Sequence, residues 1–193
     1  MIPLLSLLVF HGLLGGFDVV VNHEIAERLP SRVSARMEQA LHSVRELIFA
    51  ILFGSLAWLQ WSGELVWGIA FLLVLELVVS LWDTLLEDET RRLSVLERSM
   101  HVLLFINFGA YTSLMVPVLV HWYVATTEFR VVYYGPLSWI LSLLAMASLA
   151  WSIRDGLACI ALHRKTLSVE TASAHIDPTQ AERKQSHANV HAQ

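Results

Sequence analysis

Two Glu-x-x-x-His pairs carry the chemistry that this sequence advertises. Glu38 and His42 form one, Glu97 and His101 the other, and 59 residues separate them. The same offset carries Glu24 onto Asp83, each 14 residues ahead of its pair. Residues at i and i+4 share one face of a helix, so each Glu and His can reach a common point. Four carboxylates and two imidazoles are the donor set of a carboxylate-rich metal site, one that suits iron or manganese. Further polar residues accompany them. Asp18 and Asn22 are i and i+4, Glu46 follows His42 by four, and Glu76 and Asp83 are i and i+7. Asp18, Asn22, Arg45, Glu46 and Glu76 are expected to orient the ligands by hydrogen bonding, with Arg45 offsetting excess negative charge.

Those residues sit in a chain built for a membrane. Its 193 residues are 55% hydrophobic and only 16% charged, against about a quarter charged in an ordinary soluble domain. Several continuous apolar runs are long enough to cross a hydrocarbon layer, which takes about 20 residues. They do not alternate, which argues against a membrane β-barrel. The single cysteine, Cys159, rules out an intrachain disulfide and a thiolate metal site within one chain.

Taken in order, helices are expected over about 2–28, 34–60, 64–87, 94–124 and 137–162. The first lacks the basic start of a signal peptide and is read as a retained span. Leu29-Pro30-Ser31 breaks it, and Ser31 or Ser34 can cap the second helix. Trp61-Ser62-Gly63 forms a tight turn, residues 87–92 a charged loop, and Ser94 to Glu97 a capping box that opens the fourth helix. The expected fold is all-α and polytopic: a four-helix transmembrane bundle of two repeated hairpins, 5–60 and 64–120, plus a fifth transmembrane helix. A transmembrane domain, 1–163, then precedes a disordered polar tail, 164–193.

With five spans, all Lys and Arg but Arg130 fall on one side, so the positive-inside rule places that side in the cytoplasm. This predicts a bacterial-type inner (plasma) membrane protein with its N-terminus outside and its C-terminus cytoplasmic. All six candidate ligands, Glu24, Glu38, His42, Asp83, Glu97 and His101, then lie within about two turns of the cytoplasmic helix ends. Buried ionisable groups at one level are normally paired or bind metal.

The inventory resembles the ferritin-like di-iron carboxylate four-helix bundles. In that family two helices each give a Glu, and two others each give a Glu with a nearby His. The resemblance covers ligand list and helix order over about residues 1–124. It departs in being membrane-spanning, in placing an Asp at position 83, and in the Glu-to-His spacing. The family pattern is Glu-x-x-His; here the His comes one residue later, about 100° further round the helix. The resemblance implies two iron ions, or manganese, and a di-iron oxidase or oxygenase acting on a membrane-soluble substrate such as a lipid or quinone. Membrane lipid, a cytoplasmic electron donor and a second copy of the chain are the expected partners; no nucleic acid is.

Other readings compete. His42 and His101, at matched positions, could hold one haem as a bis-His b-type cytochrome. Asp18, Glu76 and His11 could line the path of a proton- or ion-coupled transporter. The cluster could simply fix helix packing. Singly, Glu97 could be only a capping residue, Glu24 an exposed loop residue beside Arg28, and Glu38 a partner of Arg45 or of the loop arginines. His23 points off the Glu24 face and reads as interfacial, His11 as a helix–helix hydrogen bonder, and the remaining histidines as peripheral.

Overall fold

The computed structural model describes residues 1–27 and 32–190, with side chains for 1–27, 32 and 34–167. Five helices dominate: α1 (Ile2–Asp18), α2 (Arg36–Trp58), α3 (Val66–Thr90), α4 (Val95–Tyr123) and α5 (Pro136–Val190). Alpha1 continues without a break into a π-helix, Val19–Ala26. Five segments among the described residues are long and apolar enough to cross a membrane, matching the five sequence-expected spans.

The ends show why the elements stop where they do. Ser94 caps α4, its hydroxyl accepting from the Glu97 backbone N–H at 3.1 Å, as the capping box requires. The Glu97 carboxylate does not return to the cap; it turns to Arg91. At α2 the expected cap is not made. A 3₁₀ turn, Val33–Ala35, leads in, and the N-cap residue is Ala35, with no side-chain hydrogen bond from Ser34. The break at 29–31 lies outside the described residues. Alpha3 runs one turn beyond its expected end at Glu87, to Thr90, because nothing in Glu87-Asp88-Glu89-Thr90 breaks a helix. Alpha5 likewise continues past Leu162, and most of the expected tail lies beyond the described side chains.

At the opposite end from the acidic pairs, two short strands close the bundle. Beta1 (Leu59–Trp61) pairs antiparallel with β2 (Phe129–Val131), Gln60 opposite Arg130. The turn after β1 needs glycine: Gly63 has φ +62°, and a Cβ there would stand 2.2 Å from Thr127 Oγ1 and 2.6 Å from its Cα. Trp58 stacks on Tyr133 at 5.7 Å and meets Trp139 edge-on at 5.1 Å.

Packing divides the bundle into two halves. Leu4, Leu8, Phe53, Leu56, Ile69, Tyr111 and Leu141 form a dry core in the half nearest the strands. The other half is filled with buried Asp, Glu and His. Alpha5 is no bystander: its most extensive packing is against α2. Ser43 and Ser152 there exchange hydroxyl-to-carbonyl hydrogen bonds of 2.8 and 2.7 Å. The outward faces carry large apolar side chains, among them Phe10, Leu13, Trp67, Phe71, Val74, Ile106 and Leu143, each more than half exposed. A surface of this kind in water would be an association liability.

Candidate metal centre

Four helix ends converge on the acidic half, and each brings part of a cluster. Alpha2 supplies Glu38 and His42, α3 supplies Asp83 and Glu87, and α4 supplies Glu97 and His101. Asp18, Asn22 and His23 come from the end of α1 and its π continuation. All nine are buried.

Two sets of donors face one another closely enough to hold an ion. One is His23, Glu87, Glu97 and His101; the other is His23, Glu38, His42 and Glu87, with donor atoms in each set within 4.8 Å of one another. His23 and Glu87 belong to both. Glu87 Oε1 lies 3.8 Å from His42 Nε2 and 3.8 Å from His23 Nε2, and its Oε2 lies 3.5 Å from His101 Nδ1. His23 Nε2 is also 3.5 Å from Glu97 Oε1. These separations are too long for hydrogen bonds. They match what ligands about 2.0–2.2 Å from a shared ion adopt, about 3.4 Å apart in a tetrahedral arrangement.

Hydrogen bonding supports this reading. His23 Nε2, His42 Nε2, Glu87 Oε2 and both ring nitrogens of His101 are buried with no hydrogen-bond partner. Buried polar atoms are nearly always satisfied, and the unsatisfied imidazole nitrogens grouped around Glu87 need a common explanation. Two aspartates stand beside these rings. Asp83 Oδ2 lies 3.1 Å from His42 Nε2, off the line of a hydrogen bond, and accepts from Arg45 Nη1 at 2.8 Å. Asp18 Oδ2 lies 3.5 Å from His101 Nε2, and Oδ1 accepts from Asn22 at 2.7 Å. His101 thus has Asp18 beside Nε2 and Glu87 beside Nδ1, whereas Asp83 and Glu87 both face Nε2 of His42, whose Nδ1 lies 3.3 Å from His23 Nδ1 and 3.5 Å from Arg45 Nη2. The Asp18–His101 pair is of the kind that orients a metal ligand.

Arg91 stands where the cluster meets the α3–α4 connection. Its Nη2 contacts Glu97 Oε1 at 2.6 Å, Glu38 Oε1 at 3.0 Å and Glu87 Oε1 at 3.3 Å. Burial lowers its pKa, but the Glu97 and Glu38 carboxylates more than reverse this, so the guanidinium is a fixed positive charge. Five carboxylates (Asp18, Glu38, Asp83, Glu87, Glu97) thus face two guanidiniums, Arg45 and Arg91. Counted without the imidazoles the charge excess is negative, and protonated imidazoles or a bound divalent cation would offset it.

Of the six residues read from the sequence as ligands, Glu38, His42, Glu97 and His101 fall in the two sets. Asp83 stands against His42 and Arg45. Glu24 lies apart, its carboxylate paired with Arg154 of α5, which also holds Asp155 at 3.0 Å. The 59-residue correspondence therefore holds for the Glu–His pairs and fails for the carboxylates on the first and third helices. Among the accompanying residues, Asp18, Asn22 and Arg45 touch the cluster, whereas Glu46 and Glu76 line a cavity beside it.

His23 corrects the interfacial reading: it is 2% exposed and sits at the centre. The cause is the π-helix. In an α-helix, positions five apart lie about 140° round the axis. The i→i+5 winding of a π-helix turns less per residue and brings them towards one face, so His23 comes under Asp18, 3.9 Å from it, and Glu24 turns away. Glu87 was taken for the edge of a loop, and Arg91 for part of it. Their spacing held the clue, because Asp83, Glu87 and Arg91 form an i, i+4, i+8 ladder on one face. His11 is placed as expected, its ring 3.1 Å from Asn107 Nδ2 across α1 and α4.

No family model, curated protein or solved structure matches the chain.

Proposed function

We propose that the chain is a multi-pass membrane protein holding a two-ion, carboxylate-bridged metal centre, and that it serves as an oxidoreductase for an apolar, membrane-soluble substrate such as a lipid or quinone. The carrying observation is Glu87, whose two oxygens face different imidazoles and which is common to both donor sets. A carboxylate between two ions is how such a pair is held at one site, as in the ferritin-like proteins this inventory resembles.

Glu38 and His42 would hold one ion, Glu97 and His101 the other, with Glu87 between them and His23 completing one of the two. Three imidazoles and three carboxylates, without sulfur, suit iron or manganese. Bound iron would supply one-electron redox chemistry and activation of dioxygen. The chain's own contribution is positional. Asp18 and Asp83 fix the His101 and His42 rings, Arg45 and Arg91 balance carboxylate charge, and the apolar half of the bundle excludes water. The outward apolar faces and the positive-inside asymmetry support a plasma-membrane location with this centre on the cytoplasmic side. A reductant would dock there, and the arginines near that end would favour an acidic partner.

Carboxylates crowd both His42 and His101, which favours ions over a haem between them. A proton- or ion-coupled transporter is the second reading, favoured by buried Glu76 and His11 at mid-bundle. Metal analysis of detergent-purified protein, taken with its optical spectrum, decides among them. About two ions per chain and no Soret band are expected. A metal-free preparation that still accumulates an ion or proton in liposomes would overturn the proposal.

A further inference from the structure

A cavity of about 280 Å³ lies beside the centre and shares His101 with it. All five helices line it. Along α1 it extends from His11 to Val20, along α3 from Glu76 to Thr84, and along α4 from His101 to Phe108. At 1.5 Å per residue these stretches measure about 10–13 Å, so the space is elongated parallel to the helices. Its walls are mainly apolar.

Two features say what it takes. The α1 wall is stripped of side chains at Gly12, Gly15 and Gly16. A Cβ at Gly12 would stand 2.9 Å from Leu144 and 3.1 Å from Phe53, at Gly15 only 4.0 Å from Leu104, and at Gly16 nothing lies within 4 Å. Gly16 and neighbouring Leu13 are exposed, so the cavity opens sideways onto the apolar flank of the bundle rather than towards a helix end. The second feature is Glu76. It is 3% exposed, and one oxygen accepts from Ser80 at 2.8 Å. The other, Oε2, is buried without any partner. An unfilled acceptor in an apolar wall calls for a donor. Glu46 and Arg45 also line the space, but Arg45 donates to Asp83, so an anionic head would meet two carboxylates and a guanidinium that is already paired.

We propose that this cavity binds a single-chain lipid with an uncharged hydroxyl head, which enters from the bilayer past Gly16 and donates its hydroxyl hydrogen to Glu76. The aliphatic chain lies along the glycine wall, with His101 at the same cavity's edge. This rests on the metal-centre reading for the fate of the ligand, but not for its binding.

The test uses full-length protein in lipid nanodiscs and two photoreactive probes of equal chain length, a diazirine-bearing hexadecanol and the corresponding hexadecanoic acid. Cross-links are mapped by mass spectrometry, with and without prior chelation. The alcohol should label α1, α3 and α4 at the cavity, and more strongly than the acid. Gly16→Leu, whose side chain meets no neighbour at Cβ, should fold normally and lose that labelling. Glu76→Leu should lose the preference for alcohol over acid. Labelling unchanged in Gly16→Leu would overturn the site, and equal labelling by both probes in the wild type would overturn the hydroxyl head. Labelling that survives chelation, in a protein found to hold no metal, would remove the centre and leave the cavity assignment standing.

Discussion

The Glu87 carboxylate lies between His42 and His101, one oxygen 3.8 Å from the first imidazole and the other 3.5 Å from the second. Neither contact is a hydrogen bond, and both imidazoles belong to the Glu-x-x-x-His pairs that mark the sequence. The arrangement makes Glu87 the test of the two-ion reading. Glu87→Ala should release metal from both positions, whereas Glu24→Ala, which removes a partner of Arg154, should leave the metal content unchanged. Elemental analysis of the two variants side by side reads the difference. Equal loss in both would mean that the donor sets are drawn wrongly.

Asp18 and Asp83 each stand against one imidazole, Asp18 at the His101 nitrogen away from Glu87 and Asp83 at the His42 nitrogen that Glu87 also faces. Asp18→Asn and Asp83→Asn should keep the ions but bind them about 10–100-fold more weakly, the usual cost of removing an outer carboxylate. Competition with a graded chelator series measures this. An unchanged affinity in both would show that the aspartates serve packing alone.

Arg91 holds Glu38, Glu87 and Glu97 together. Removing one partner of a buried ion pair costs about 3–5 kcal/mol. Arg91→Ala should therefore destabilise chelated protein by about that much, and metal-loaded protein much less, because the ions take over the charge balance. Thermal unfolding of both forms tests it; equal destabilisation in the two would separate Arg91 from any metal.

Gly63 sets the connection between β1 and α3. Gly63→Ala would force a Cβ against the Thr127 backbone at a positive φ, and should cost at least about 1 kcal/mol. The metal content should stay at the wild-type value, since the turn lies at the opposite end from the donors. A lowered Tm with intact metal is the expected pair of observations.

The five helices were legible because apolar runs of spanning length carry a signal that no single residue can erase. The Glu–His pairs were legible because i, i+4 spacing on an α-helix fixes a shared face. What escaped depended on local winding. His23 joins the cluster only if Val19–Ala26 abandons the α pitch, and nothing in Val-Val-Val-Asn-His-Glu-Ile-Ala announces that. Glu87 escaped because its run of charges resembles a loop, although the helix carries it one turn further into the interior. Glu24 shows the converse: sequence offset aligned it with Asp83, and the same change of winding sent it to α5 instead.

The π-helix gives the site an unusual vulnerability. Every ligand could keep its identity while the centre is lost, because what places His23 inside is the phase of eight residues rather than their chemistry. A return to the α pitch at unchanged length would re-aim His23 and every side chain that follows, whereas deleting one residue between Val19 and Asn22 would leave His23 four positions after Asp18 and still on that face.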